Sequence, residues 1–406
     1  MRAASLLAAA ALLAVTPGAS AAGLPLGPGS LREGRATVRI ATGITWTRIV
    51  RSGGPWRVNV LTVNRAAIAG RVGAVLSNGR AIARERTSSM ARRTRAIAGV
   101  NAGFFNGGGN PVGALSVRGR LVSEPVAGRS ALLLPRSPQE RPQIAPLRFA
   151  GSVSIGERTR LLDGVDRTPG LVPACGGRGG DRPTELPNAT ATCTDRSELV
   201  MFTRSYGAPT PAGGFEATLR GGAVTSRRPG GGSRVPRDGY VLAGSGDAAR
   251  FLREEAIAGA RPDLRLTLRA GARTIDPAGY EAIVSGGPRL LRNGMVRVGS
   301  LAEGFAPPGG SSFFSAFVIA RNPRTLAGVR ADGRLLLATI DGRRRGWSAG
   351  VSLIEAARVM RALGARDALN LDGGGSTTMT VGRRVVNRPS DRAGERAVSD
   401  GLFVLP

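Results

Sequence analysis

The chain contains no histidine. That removes Ser-His-Asp and Cys-His catalytic arrangements, histidine-ligated zinc and the usual general base poised near neutral pH. Lysine is also absent, so all 57 basic residues are arginine. A nucleotide P-loop, which needs a lysine beside its glycines, is thereby excluded. The only two cysteines, Cys175 and Cys193, cannot complete a cysteine-based zinc site. They flank a Gly-, Pro- and Asn-rich stretch, and the expectation is a disulfide closing that loop. Aromatic residues make up 4% of the chain. No platform of interleaved aromatic and basic residues occurs, so nucleic acid is not an expected partner. Past the N-terminus no apolar run approaches the ~18 residues of a membrane span, and no membrane insertion is expected.

What is present begins with Met1-Arg2, an apolar run over residues 3–15 and the small-residue triplet Ala19-Ser20-Ala21. This is the pattern of a secretory signal cut after Ala21, which predicts a secreted, extracellular protein. The 57 arginines stand against 28 acids and leave a net charge of +29. Such a field attracts anionic polymers and phosphorylated sugars, although the arginines are scattered, as a coding bias would scatter them. With 60 glycines, 26 prolines and 42% apolar residues, the chain reads as a folded protein rich in strands and tight turns.

Period-2 segments such as residues 57–63 predict strands. Three hairpins are expected around Arg118-Gly119, Asn293-Gly294 and Gly382-Arg383. Helices are expected from Ser88 or Ser89 to Ala96, from Asp247 to Ala258, and from Ser352, whose spacing to Glu355 makes a capping box. Gly/Pro/Ser-rich stretches over 174–194, 208–215, 226–239 and 303–312 read as surface insertions. Without repeating βαβ units, the expected class is α+β: a mixed, largely antiparallel sheet core with a few flanking helices. The organisation expected is a signal over 1–21, a flexible leader over 22–35 and one domain over 36–406.

A helix, a buried strand and a polar Gly-rich turn occur in that order twice. One copy ends at Asn101-Ala102-Gly103-Phe104-Phe105, the other at Asn370-Leu371-Asp372-Gly373-Gly374-Gly375-Ser376. Successive glycines let backbone amides approach an anion, with Asp372 at the rim. The alternative is a plain tight turn, common in a chain so rich in glycine.

These two segments, with Arg321-Asn322-Pro323-Arg324-Thr325, Asp341-Gly342-Arg343 and Pro389-Ser390-Asp391 followed by Glu395-Arg396, occur in the order seen in the phosphodiester glycosidase family, which the chain resembles from about residue 36 to its end. The resemblance implies cleavage of the anomeric C–O bond of a sugar-1-phosphodiester of N-acetylglucosamine type, giving a free sugar and a phosphomonoester. A phosphomonoester, with a second pKa near ~6, is a good leaving group, so arginine can take over part of the work of a protonating acid. Matching motif positions makes Asp372 the catalytic carboxylate and Arg324 the first phosphate ligand, with Asn101 and Asn370 orienting oxygens. Gly103, Thr325, Gly373, Gly374, Gly375, Ser376, Asp341, Asp391 and Arg396 are the implied substrate- and phosphate-binding positions. For Asp391 and Glu395 the alternative is a structural turn and a salt bridge to Arg396. No cofactor and no metal site is expected, and the oligomeric state is left open. The rival functions are a non-catalytic arginine-rich module binding anionic envelope polymers, and a phosphodiesterase cleaving P–O.

Overall fold

The computed structural model describes residues 23–177, 186–306 and 311–406. The expected signal over 1–21 and the centre of the disulfide loop lie outside the described residues. The architecture is α+β, built from mostly antiparallel sheets with a few short helices.

The largest sheet has eight strands in the order Glu33–Ala41, Ile44–Arg51, Trp56–Val63, Leu335–Ile340, Arg324–Arg330, Ala365–Asn370, Arg289–Arg292 and Met295–Val296. All its pairings are antiparallel. The strand Leu335–Ile340 is buried along its whole length, and its period-2 alternation divides it between two cores. Leu335 and Leu337 face a cluster shared with Val100, Leu402 and Val404 of a five-stranded sheet. Leu336, Ala338 and Ile340 face a cluster shared with the helix Leu353–Ala362. Arg324–Arg330 alternates the same way, with Ala327 and Val329 on the first side and Leu326 on the second. That register decides the site, because it sends Arg324 towards the helix side and Thr325 towards the five-stranded sheet.

The helix Leu353–Ala362 carries the expected capping box between Ser352 and Glu355. Leu353, Ala357 and Met360 are fully buried along one face of it, and Gly364, with φ +88°, lets the chain turn into the strand Ala365–Asn370. The other two helices are offset from expectation. One spans Thr87–Thr94 with no side-chain cap, since the Ser88 hydroxyl bonds Glu395 instead. The other spans Gly246–Glu255 and stops short of Ala258. All three hairpins form, and Arg118-Gly119 and Asn293-Gly294 take the left-handed conformation at both turn residues that a two-residue hairpin requires.

Two stretches expected as surface insertions are strands. Ala212–Arg220 and Ala223–Gly231 form a long hairpin at the edge of a third sheet, and its packing strand is Gly239–Gly244. Their glycines sit at irregularities of the ladder rather than in loops. In the expected leader, Leu24 and Leu26 are buried in the cluster that holds Trp56, and the Leu24 amide donates to Glu33 Oε2 at 2.7 Å. Burying a leucine contributes roughly 1.5–3 kcal/mol, enough to tether a short segment. Cys175 and Cys193 form the expected disulfide beside the hairpin of Leu171–Pro173 and Thr192–Thr194.

Candidate active site

The two Gly-rich turns singled out in the sequence lie against each other. The Asp372 amide donates to Ala102 O at 2.8 Å, and Asn101 Nδ2 donates back to Asp372 O at 2.7 Å. Asn101 Oδ1 accepts from Thr325 Oγ1 at 2.7 Å and from the Thr378 amide at 3.0 Å. Asn101 and Thr325 are therefore fully buried pins that fix the Asp372 turn. Asn370 is equally buried. Its Nδ2 donates to Gly287 O at 2.7 Å, while its Oδ1 has no hydrogen-bond partner among the described residues.

Asp372 is partly buried, and its carboxyl pKa is raised to about 7. Desolvation is the largest cause, and the Asp400 carboxylate adds to it. The Ser376 hydroxyl, Arg396 and the Gly373 amide favour the charged form and pull the other way. Asp400 was not singled out in the sequence. It sits in the strand Asp400–Leu405, whose backbone O accepts from the Ala102 amide at 3.2 Å. Its Oδ1 accepts from the Gly103 amide at 2.8 Å, and its Oδ2 accepts from Ser399 Oγ at 2.5 Å. Asp400 is fully buried, so desolvation raises its pKa as well. Gly103 leaves room here: a Cβ would crowd Asp400 Oδ2 at 3.0 Å. Its amide faces Asp400 rather than a ligand.

Of the three glycine amides expected as an anion cradle, that of Gly374 is spent on Pro323 O at 2.9 Å. The Gly373 amide supports the Asp372 carboxylate. The Gly375 position is crowded by the Asp391–Arg396 ion pair, with Arg396 Nε 2.8 Å from Asp391 Oδ2 and Nη2 3.1 Å from Oδ1. Asp391 thus takes the structural pairing weighed in the sequence. Glu395 instead accepts from the Ser88 amide and hydroxyl, both at 2.6 Å. Asp341 is buried, and its carboxylate accepts from Trp347 Nε1, Asn387 Nδ2 and the Arg388 amide. That set of partners makes it a brace for the 387–388 turn.

Arg324 is 1% exposed. Its Nε donates to Val351 O at 3.1 Å and its Nη2 to Phe317 O at 2.6 Å, and the guanidinium lies 5.2 Å from the Phe317 ring centre. Desolvation and the neighbouring Arg343 lower its pKa to about 9. The exposed cation is Arg343, whose Nε and Nη2 donate to Asn322 Oδ1 at 3.0 and 2.7 Å. A Cβ on Gly374 would lie 3.3 Å from Arg343 Nη1, so the guanidinium packs directly on the turn. Neither Arg324 nor Arg343 has an ion pair among those of the described residues. The Arg343 guanidinium thus packs on the turn that carries Asp372, while that of Arg324 is buried close enough to Arg343 to be influenced by its charge. The signal for Arg343 was present in the Asp341-Gly342-Arg343 motif. Nothing local marked Asp400, because the pairing that brings it to the turn is long-range. Phe104, Phe305, Phe313 and Phe317 form an aromatic column beside these groups, with stacked centroids 5.1 and 5.3 Å apart at Phe317.

Residues 213–405 match a family model described as phosphodiester glycosidase. The N-acetylglucosamine-1-phosphodiester alpha-N-acetylglucosaminidase of Mus musculus is 33% identical over 159 residues, which are 39% of this chain and 26% of that protein. The chain therefore aligns with about a quarter of that relative's length. A crystal structure of a Burkholderia pseudomallei K96243 protein described as exported superposes with a TM-score of 0.86 at 28% identity, covering 98% of this chain and all of the other. A hypothetical protein from Synechocystis shares the fold, with a TM-score of 0.71 at 22% identity over 91% of this chain and 63% of that one.

Proposed function

We propose that this chain, whose residues 213–405 match the phosphodiester glycosidase family model, hydrolyses the glycosidic C–O bond of a sugar-1-phosphodiester. The observation that carries the reading is that the turn bearing Asp372, a carboxylate of near-neutral pKa, is packed at Gly374 by Arg343, an arginine without an ion pair among the described residues, with the buried Arg324 beside Arg343. In the proposed reaction Arg343 contacts the phosphate, and Arg324 supplies positive potential from behind it. As the C–O bond breaks, its electron pair passes to the phosphate oxygen, where the guanidiniums neutralise it. Water adds to the anomeric carbon and gives its proton to Asp372, whose pKa of about 7 suits a general base at neutral pH. Asn101, Thr325 and the Gly103–Asp400 contact hold the carboxylate in place.

The sugar is proposed to be an N-acetylhexosamine, as the mouse relative's name suggests for that protein. Secretion is proposed from the N-terminal pattern and from the exported description of the Burkholderia protein. The test offers the purified chain a panel of sugar-1-phosphodiesters in ¹⁸O-labelled water. Label in the free sugar supports C–O cleavage. Label in the phosphate overturns it in favour of a P–O phosphodiesterase, and absence of turnover across the panel favours the anion-binding module.

A further inference from the structure

A cavity of about 730 Å³ opens beside the other half of the loop that follows Gly103. Phe104 of that loop packs into the aromatic column, whereas Asn106, Gly108, Asn110 and Pro111 line the cavity. Much of the remaining wall is apolar: Val126, Phe149, Leu162, Val172 and Pro173, the last two from the disulfide-closed hairpin. A volume of this size is that of a small-molecule site.

The charged groups in the inner wall offer a ligand nothing. Arg167 Nε binds Glu124 Oε1 at 2.7 Å, and its Nη1 and Nη2 bind Glu198 at 2.7 and 2.5 Å. Glu124 Oε2 accepts from the Val165 amide at 2.9 Å, and Glu198 Oε2 accepts from the Gly170 amide at 2.5 Å. Asp163 Oδ2 accepts from the Leu199 amide at 2.7 Å. Saturated in this way, the interior selects for an uncharged, apolar body.

The rim differs. Arg148 lines the cavity, is exposed and has no ion pair among those of the described residues. Directly across the antiparallel ladder from it stands a second exposed arginine without such a pair, Arg269. Residues opposed in a ladder share a face, with Cβ atoms roughly 4.5–5.5 Å apart, where two like charges repel unless an anion lies between them. An apolar chamber lined at its exposed edge by Arg148, with Arg269 its neighbour across the ladder, is complementary to a molecule with an apolar body and one anionic head.

We propose that this cavity is a binding site for a monoanionic amphiphile, its apolar part within the chamber and its head between Arg148 and Arg269. The site is separate from the Asp372 turn and stands whether or not the proposed hydrolysis occurs. The experiment titrates octyl phosphate, below its micelle concentration, into the full chain by calorimetry. Saturable binding with a negative heat-capacity change is expected, at least tenfold weaker in Arg148→Glu and lost in Ala127→Trp, which fills the chamber. Should Ala127→Trp not fold, Ala150→Trp serves, Ala150 also lining the wall. Arg343→Ala should leave the affinity unchanged, and inorganic phosphate should not compete. Unchanged affinity in both Arg148→Glu and the tryptophan variant overturns the proposal, as does loss of binding in Arg343→Ala. A turnover assay checks the separation: octyl phosphate should bind without inhibiting, whereas competitive inhibition abolished by the tryptophan variant would make the chamber part of the substrate site and overturn the proposal.

Discussion

Asp372→Asn should stabilise the protein while abolishing its activity, and the size of the effect follows from the carboxyl's surroundings. Burial and Asp400 raise its pKa from 3.8 to about 7, close to three units, and each unit corresponds to about 1.4 kcal/mol of differential interaction. The folded state thus holds a proton that the unfolded state has released. The associated stability is fully present below pH 3.8 and is lost as pH rises to about 7. The ceiling is about 4 kcal/mol, and because Asp372 is partly exposed, solvent screening brings this to roughly 2 kcal/mol. Asparagine keeps the shape and pays no such penalty. Thermal unfolding of the two proteins should coincide near pH 4 and separate progressively, with the variant melting about 4 °C higher by pH 8. Turnover should fall by at least ~10³-fold, the scale of a general base removed. A variant that melts at or below the wild type at pH 8, or a gap that does not change with pH, would refute the reasoning.

Removing the second carboxylate with Asp400→Asn should shift the acidic limb of the kcat/KM profile to lower pH, since one cause of the raised Asp372 pKa is gone; a limb that stays put assigns Asp400 a purely structural role. Arg343→Ala should cost ~10²–10³-fold in kcat/KM and weaken inhibition by inorganic phosphate, whereas Arg343→Lys should recover only part of it because a forked contact becomes a point charge; equal inhibition constants in wild type and Arg343→Ala would count against the assignment. Arg167→Ala strands Glu198 and part of Glu124 in the interior and should destabilise by about 3–5 kcal/mol in chemical denaturation. Gly375→Ala pushes a methyl group into the Asp391–Arg396 pair and should reduce activity far more than stability, because an exposed ion pair contributes under ~1 kcal/mol.

Local signals carried much of the fold. The Ser352–Glu355 capping box, Asn293-Gly294 and the 2-residue alternation of the central strands encode their own geometry within a few residues, and each forms as the sequence predicts. The helix at Thr87–Thr94 lacks a local cap because Glu395, more than 300 positions away, takes the Ser88 amide and hydroxyl. Residues 226–231 were misread for a related reason: glycine and proline mark turns in isolation, yet here they serve a long irregular ladder. At the site, the sequence placed Asp372 and Asn101 in matching turns, and the structure joins those turns through the Asp372 amide on Ala102 O and the Asn101 side-chain amide on Asp372 O. It made Arg324 the first phosphate ligand and did not single out Arg343. That choice depends on which face of Arg324–Arg330 meets the helix Leu353–Ala362, a consequence of sheet stacking rather than of neighbouring residues. Asp400 was hidden for the same reason, lying in an apolar C-terminal strand whose register alone brings it under Gly103.

The arrangement also explains why such a site is tolerated at a cost to the fold. Asp372 and Asp400 are held where the ionised form is disfavoured, and Arg324 where the protonated form is disfavoured. Each would be better accommodated by a charge that the described residues withhold: the carboxylates lack a close cation apart from Arg396, and the guanidiniums of Arg324 and Arg343 lack an anion. On the proposed reaction the substrate supplies both. Positive charge develops at the anomeric carbon facing Asp372, and negative charge develops on the departing phosphate facing Arg343. Groups left unsatisfied in the free protein are then satisfied most fully when those charges are largest, which is at the transition state and not in the bound substrate. The electrostatic strain that Asp372→Asn should relieve as stability is therefore the same quantity that the wild type applies to lowering the barrier, so melting temperature and rate should move in opposite directions across Asp372→Asn and Arg324→Met alike.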